Sequence, residues 1–446
     1  MGRRDGGRGL GRGFASLWSA AAVSSLGDGI VSAAAPLLVA SLTRDPVLVA
    51  LSVFVQQLPW LLLAPLSGAL VDRVDRRRLA VAANVARAVL TAVLAVAVYA
   101  GEVSLPLTYT VGLLLGSCAA LGENASSALL PAVVASADLP RANSRMFGTD
   151  SVLNRLCGPP LGAALFGVAA GLPLTVDALS FAGAAALVST LRLLPRPNPT
   201  PSPSSSPSPP PSPSPPPSPP AGRTALGRQF ADSVRWLWRQ PALRTLTLAL
   251  CLMNVTLIAS FSVMVLYARE HLGLSEFGYG VLLTASAVGG LAGALVAPRL
   301  QARFSASVLL RLGLVLETLT HAGLALAGSP WVAGAVLGVF GVHGAIWVSV
   351  DRTLVQRAVP DGMRGRINSA FMALAVGGSA LGALLGGPIA RLLGLTGPFW
   401  FSATVMAALT VFAWRPFGRS IDAPPPAPAP VPTPAATATP AATAAP

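Results

Sequence analysis

The sequence has few charged residues, few aromatic residues and no lysine. Charged residues make up 11% of the 446 residues and hydrophobic residues 53%, whereas a soluble protein carries about 25% charged residues. A soluble core could not bury so much apolar surface, so the composition indicates an integral membrane protein. The three cysteines lie in apolar runs and the three histidines do not cluster, so we expect no disulfides, metal or cofactor.

All 31 basic residues are arginine, and the formal net charge is +14. This charge alone would fit a nucleic-acid partner. Most of the arginines, however, lie in short loops between apolar runs, so we expect the protein not to bind nucleic acid. The loops predicted outside hold only Arg44, Arg269 and Arg391. By the positive-inside rule, both termini are then cytoplasmic.

Twelve apolar runs are each long enough to cross a bilayer, which takes about 20 residues. They lie near 15–42, 47–71, 79–100, 106–134, 144–170, 173–193, 242–267, 277–299, 305–328, 331–356, 367–393 and 396–414. The motif GALV occurs at 68–71 and again at 293–296, which suggests duplicated halves. The predicted fold class is an all-α integral membrane protein, with twelve transmembrane helices in two pseudo-symmetric six-helix bundles.

The composition divides the chain into six segments. These are a cytoplasmic tail at 1–13, a first bundle at 14–193, a Pro/Ser-rich linker at 194–222, an amphipathic interfacial helix at 223–240, a second bundle at 241–415 and an Ala/Pro-rich tail at 416–446. The linker and the C-terminal tail cannot build a core, so disorder is expected there.

The loop after the second predicted span has an unusual pattern of glycine, aspartate and arginine. Its sequence, GALVDRVDRR, resembles the loop after the second helix in the major facilitator superfamily of secondary transporters. The matching positions are Gly68, Leu70, Asp72, Arg73, Arg76 and Arg77, while Asp75 replaces the usual second glycine. The resemblance implies a conformational switch, in which this loop pairs with cytoplasmic helix ends of the other bundle and steadies the outward-open state. Asp72 would gain there from a helix dipole.

Further motifs resemble a narrower group, the twelve-span drug–proton antiporters of the siderophore and macrolide exporter type. They include Trp18 and the segment 26–30 in the first span, and the segment 356–360 before the eleventh. In the fifth span, Gly158, Pro159 and Gly162 partly match a Gly-Pro pattern of antiporting members. Proline kinks a helix and glycine allows close approach, so we expect a kink there.

Four polar side chains within the predicted spans are notable: Asp28, Glu123, Asn254 and His343, in the first, fourth, seventh and tenth spans. The resemblance implies that these four helices line a central cavity, so the four side chains are candidates for a translocation path. A buried carboxylate can take up and release a proton. Asp28 or Glu123 is therefore expected to carry a coupling proton, the alternative being a hydrogen bond to a neighbouring helix.

The predicted function is secondary transport by alternating access, most simply proton-coupled efflux of a small amphipathic compound such as a drug, an antibiotic or a siderophore. The expected location is the bacterial cytoplasmic membrane, with a small-molecule substrate, protons and the bilayer as partners and a functional monomer. An importer or symporter of the same fold, a membrane-embedded enzyme and a non-transporting sensor are the alternatives. The sequence has no Gly-rich phosphate loop, which argues against ATP as the direct energy source.

Overall fold

The computed structural model describes residues 10–71, 74–191, 234–359 and 364–420. Within these ranges the chain is helical apart from short connections and contains no strand. The Pro/Ser-rich linker, most of the interfacial segment and most of the C-terminal tail lie outside them. Residues 234–239 of the interfacial segment are helical, and Leu237 is fully buried against Leu243 and Val359 of the second half.

The first half contains six membrane-crossing elements. They are α1 (Gly11–Leu42), α2 (Pro46–Val71), α3 (Arg76–Tyr99), α4 (Leu105–Val133), a fifth element made of α5 (Leu139–Asp150), a π-helical segment (Ser151–Cys157) and α6 (Gly158–Val168), and then α7 (Leu172–Ser189). The fifth element is irregular because the π segment interrupts it immediately before Pro159. A π segment thus lies on the N-terminal side of this proline, and the predicted kink there stays a prediction.

The second half repeats this arrangement. Its elements are α8 (Pro241–Phe261), which continues through a second π segment (Tyr267–His271), then α9 (Glu276–Arg303), α10 (Ala306–Leu326), α11 (Pro330–Ala358), α12 (Arg364–Leu393) and α13 (Gly397–Ser420). Helix α13 extends five residues beyond the boundary predicted at 415.

Ten of the described helices are long and apolar enough to cross a membrane. The other two crossings are α2 and the interrupted fifth element. In α2, the apolar stretch that could be assessed is the shorter segment Pro46–Leu62. The all-α membrane fold class predicted from the sequence is confirmed.

The two halves meet at the end of the molecule that carries the α1–α2 connection, here called the α1–α2 end. One continuous cluster of buried side chains there draws on both halves, with Leu37 and Val49 from the first and Tyr267, Leu324 and Phe399 from the second. At the opposite end, the large buried clusters each belong to one half. The halves are thus sealed together at the α1–α2 end.

Glycines allow helix backbones to touch at several points of this architecture. In α12 a Cβ added at Gly378, Gly382 or Gly386 would collide with the backbone of α8 at Cys251, Val255 and Ala259, respectively. These glycines, spaced four residues apart, form a stripe along which the two helices pack closely. At the seal, a Cβ on Gly280 of α9 would lie 2.6 Å from the Pro159 carbonyl oxygen of α6.

Candidate functional site

Helix α1 carries Asp28 between two glycines that let neighbouring elements come close. A Cβ at Gly27 would collide with Ser180 and Asp177 of α7. A Cβ at Gly29 would lie 2.8 Å from the Cα of Asn154 in the first π segment. The two glycines therefore place the Asp28 side chain between packed helices of the first half.

Asp28 forms an ion pair with Arg87 of α3. The Arg87 guanidinium also lies over the ring of Phe181 in α7, 3.8 Å from its centroid. Asp177 is 2% exposed and lies within electrostatic range of both Asp28 and Arg87. Ser180 Oγ donates to the Asp177 backbone carbonyl at 2.8 Å. The first half thus has a cluster of three ionisable side chains, Asp28, Asp177 and Arg87, here called the Asp28 cluster.

Glu123 of α4 has an exposed side chain. The charges of Asp28, Arg87 and Asp150 nevertheless act on it. Those groups belong to α1, α3 and α5, so Glu123 lies within electrostatic range of three neighbouring elements. Asp28 and Glu123 are thus close enough for their charges to interact, and the coupling role predicted for one of them stays a prediction.

Asn254 lies at the contact between α8 and α12. Its amide nitrogen donates to the Leu250 carbonyl at 2.8 Å, and its side-chain oxygen accepts from Ser379 Oγ at 3.2 Å. Both polar ends of this side chain have protein partners, as expected of a residue that joins two helices.

His343 is 3% exposed and lies inside the second half. Its Nδ1 is 3.4 Å from Glu317 Oε2 of α10, and Glu317 Oε1 is 3.5 Å from Nε2 of His321, one turn further along the same helix. Glu317 and His321 are each 1% exposed. The three side chains form a second ionisable group, here called the Glu317 cluster.

The switch loop predicted from the sequence is described only in part. Asp72 and Arg73 lie outside the described residues. Gly68 lies within helix α2. Asp75, which replaces the usual glycine, caps α3 by accepting from the backbone N–H groups of Arg77 and Arg78 at 2.9 and 3.1 Å. Arg76 is the first residue of α3, and the Arg77 guanidinium donates to the Ser189 carbonyl at the end of α7.

The Gly-Pro segment of the fifth element is a point of close helix contact. A Cβ on Gly158 would lie 3.0 Å from the Gly29 carbonyl oxygen, and one on Gly162 would lie 2.7 Å from the Ile30 carbonyl carbon. Pro159 supplies its carbonyl to the contact with Gly280 in the other half. This segment therefore packs on α1 with one side and on the second half with the other.

Sequence reasoning assigned no role to four ionisable residues that are buried or partly buried inside the bundles. These are Arg87, Asp177, Glu317 and His321. A usable signal existed for each, because a charged or ionisable side chain inside an apolar run is costly and needs a partner. Glu317 and His321 also have the i, i+4 spacing that places two side chains on one helix face. Among the described residues, no group of three or more metal-binding side chains has the geometry of a metal site.

Two helix bundles that meet at one end and enclose ionisable side chains define a membrane transporter. The chain belongs to the Major Facilitator Superfamily, whose profile matches residues 17–383 and 246–444. The sequence-based recognition of this superfamily is confirmed.

Similar proteins are transporters as well. The chain is 28% identical over 382 residues to a protein of Shigella boydii named enterobactin exporter EntS, with 84% of each chain covered. The protein of that name from Salmonella typhimurium is 28% identical over 378 residues, covering 84% of this chain and 85% of the relative. Among solved structures, a point mutant of the nucleoside transporter NupG superimposes with a TM-score of 0.69 at 12% identity, covering 91% of this chain and 100% of that one. A bacterial homologue of ferroportin gives 0.66 at 20% identity, covering 93% and 100%.

Proposed function

We propose that this protein exports a small amphipathic compound of the siderophore, drug or antibiotic type across the bacterial cytoplasmic membrane, driven by the proton gradient. The similarity to proteins named enterobactin exporters supports the export of a siderophore-like compound. The observation that carries the proton coupling is the Asp28 cluster, because it places an exchangeable carboxylate beside a guanidinium inside a helix bundle.

The proposed coupling starts from the Asp28–Arg87 ion pair. When Asp28 takes up a proton it becomes neutral, and Arg87 keeps its positive charge without that partner. Asp177 lies within range of Arg87 and can then attract the guanidinium. Glu123, which is more exposed, is the second carboxylate that can exchange the proton with water.

With both termini in the cytoplasm, the sealed α1–α2 end is the outer one and this conformation faces inward. Release to the outside then requires the seal to open and the opposite end to close. A substrate or proton that binds one of these two states more tightly shifts the equilibrium toward that state. The protein acts as a monomer in this proposal, since each half carries its own ionisable cluster.

The test uses everted vesicles containing the full chain, with enterobactin as the probe and an imposed pH gradient. Wild-type vesicles should accumulate enterobactin, and Asp28→Asn and Glu123→Gln should each reduce gradient-driven accumulation by at least about tenfold. Glu102→Gln, in the exposed α3–α4 connection, is the matched control and should transport like the wild type.

If Asp28→Asn and Glu123→Gln both transport at the wild-type rate, neither Asp28 nor Glu123 carries the coupling proton. Gradient-driven movement of enterobactin in the opposite direction would contradict export and favour the importer alternative.

A further inference from the structure

A groove of about 450 Å³ lies between α3 and α7 on the surface of the first half. Helix α3 lines it mainly with valines, and α7 lines it with alanines and with Ser189 at its end. The alanines are too short to fill the space beside the valines, so a groove remains between two helices that otherwise pack together. Its volume lies in the range of about 300–1,000 Å³ that is usual for small-molecule sites.

The groove opens beside an apolar stripe of α3 that faces out of the bundle. The stripe consists of Val85, Val89, Val93 and Val96, which are 47%, 56%, 49% and 66% exposed. Their spacing of four, four and three residues places them on one face of the helix. In a helix that crosses a membrane, an exposed face made only of valine lies against lipid acyl chains. The groove is therefore open to the bilayer and separate from the Asp28 cluster.

The groove has the depth of one leaflet. Val81 and Val89, which line it, follow Arg78 by three and eleven residues. At a rise of 1.5 Å per residue, the groove thus runs from about 5 to about 17 Å away from Arg78 along the helix axis. Half of the hydrocarbon core of a bilayer is about 15 Å thick. An acyl chain in the groove would therefore have its headgroup beside Arg78.

The end of the groove that points away from the hydrocarbon is basic. Helix α3 begins with Arg76, Arg77 and Arg78, and Arg78 is exposed. The Arg77 guanidinium donates to the carbonyl of Ser189, a residue of the groove lining, so it lies directly at the groove. A guanidinium has five N–H donors, so this bond leaves others for a ligand. Asp75 is the acidic residue of this turn, and its carboxylate is occupied as the cap of α3.

We propose that this groove binds one acyl chain of an anionic phospholipid, and that Arg77 and Arg78 hold the phosphate of its headgroup. Arginine suits this role because its planar fork of donors matches phosphate oxygens. A phospholipid with a choline headgroup has the same chains and phosphate, but its ammonium group is repelled by the arginines. The site should therefore distinguish lipids by headgroup charge. Its place in the cytoplasmic leaflet rests on the orientation in the proposed function, whereas the groove and its arginines do not.

Lipid retention by the full-length protein tests the headgroup preference. The protein is placed in nanodiscs that contain equal amounts of phosphatidylglycerol and phosphatidylcholine, and the lipids that stay bound are counted by native mass spectrometry. The wild type should retain mainly phosphatidylglycerol. Arg78→Gln should lower the retained ratio of phosphatidylglycerol to phosphatidylcholine by about fivefold, which corresponds to about 1 kcal/mol for one basic residue near a membrane surface.

Arg303→Gln is the matched control, because Arg303 is an exposed arginine at the end of α9, at the same end of the molecule but in the other half. It should leave the retained ratio unchanged. Equal retention of the two lipids by the wild type would overturn the proposal, because the groove would then accept any phospholipid. An equal loss in Arg303→Gln and Arg78→Gln would also overturn it, because the preference would then belong to the whole basic surface.

A second pair of variants tests the groove itself. Ala186 is an exposed residue of the lining, so Ala186→Phe should fill the groove and abolish the retained phosphatidylglycerol without changing an arginine. Val93→Phe, on the exposed stripe of α3 but outside the lining, should retain the lipid like the wild type. Equal retention by the two variants would overturn the acyl-chain site. The wild-type ratio needs no variant that folds, and no arm measures transport, so failure of the proposed export would leave these results intact.

Discussion

Asp45 and Arg391 face each other across the two halves, with 3.8 Å between Asp45 Oδ2 and Arg391 Nη1. Asp45 lies in the α1–α2 connection and its other carboxylate oxygen accepts from the Val47 backbone N–H at 2.9 Å, which caps α2. Arg391 lies near the end of α12. The pair therefore bridges the seal at the α1–α2 end.

Arg391→Gln should favour opening of that seal only slightly. The two side chains are 67% and 33% exposed, and exposed ion pairs contribute up to about 1 kcal/mol, so the population should shift by at most about fivefold. The distance between the two halves at this end can be measured with spin labels on cysteines that replace Val168 and Trp331. These residues are 78% and 87% exposed. Arg269→Gln breaks the 2.8 Å pair with Glu276 within one half and should not change that distance. A larger shift in this control than in Arg391→Gln would refute a bridging role.

Gly280→Ala should open the seal more strongly. The new Cβ would lie 2.6 Å from the Pro159 carbonyl oxygen and 2.7 Å from the Ala163 Cβ in the other half, so α9 and α6 must separate. The same label pair should show a longer distance in most molecules. Gly344→Ala, where an added Cβ meets nothing within 4 Å, is the control, and equal distance distributions in the two variants would be evidence against the contact.

Gly162→Ala should destabilise the first half by about 1–3 kcal/mol, as expected for overpacking. Its Cβ would lie 2.7 Å from the Ile30 carbonyl carbon in α1. Gly167→Ala, on the same helix and with open space around it, should leave the unfolding temperature unchanged. Thermal unfolding followed by tryptophan fluorescence compares them, and identical curves would show that the α1–α6 contact adapts without strain.

Arg87→Gln should cost about 2 kcal/mol of stability, because it leaves Asp28 and Asp177 without their shared cation. The double variant with Asp28→Asn should recover part of that loss, since it also removes one of the carboxylates. The four proteins of this cycle are compared by thermal unfolding. Strict additivity would mean that the ion pair makes no contribution.

Asp72→Asn should slow transport by up to about fivefold, because the negative charge that favours a helix N-terminus by up to about 1 kcal/mol is lost. Asp75→Asn is the control within the same loop, because asparagine caps a helix as well as aspartate does and α3 should keep its cap. Enterobactin accumulation in everted vesicles gives both rates. If Asp72→Asn folds and transports at the wild-type rate, the loop has no switching role.

Much of the architecture could be predicted from the sequence, since apolar run length fixes where helices cross a bilayer and the repeated motifs reveal duplicated halves. The stripe at Gly378, Gly382 and Gly386 could be assigned for the same local reason, a spacing of four residues. The partners of charged side chains could not be predicted, because they belong to helices far apart in the chain. Arg87 and Asp28 are an example, as are His343 and Glu317. The π segments depend on tertiary packing in the same way.

The close packing of α12 on α8 limits how the second half can move. Helices whose backbones interlock at three successive glycines resist sliding, so α8 and α12 should turn as one piece when the second half moves. The movement must then fall at the boundary between the halves, where α12 contacts α2 at Gly387 and α9 contacts α6 at Gly280. That boundary is where a wedge-shaped inhibitor would arrest the motion.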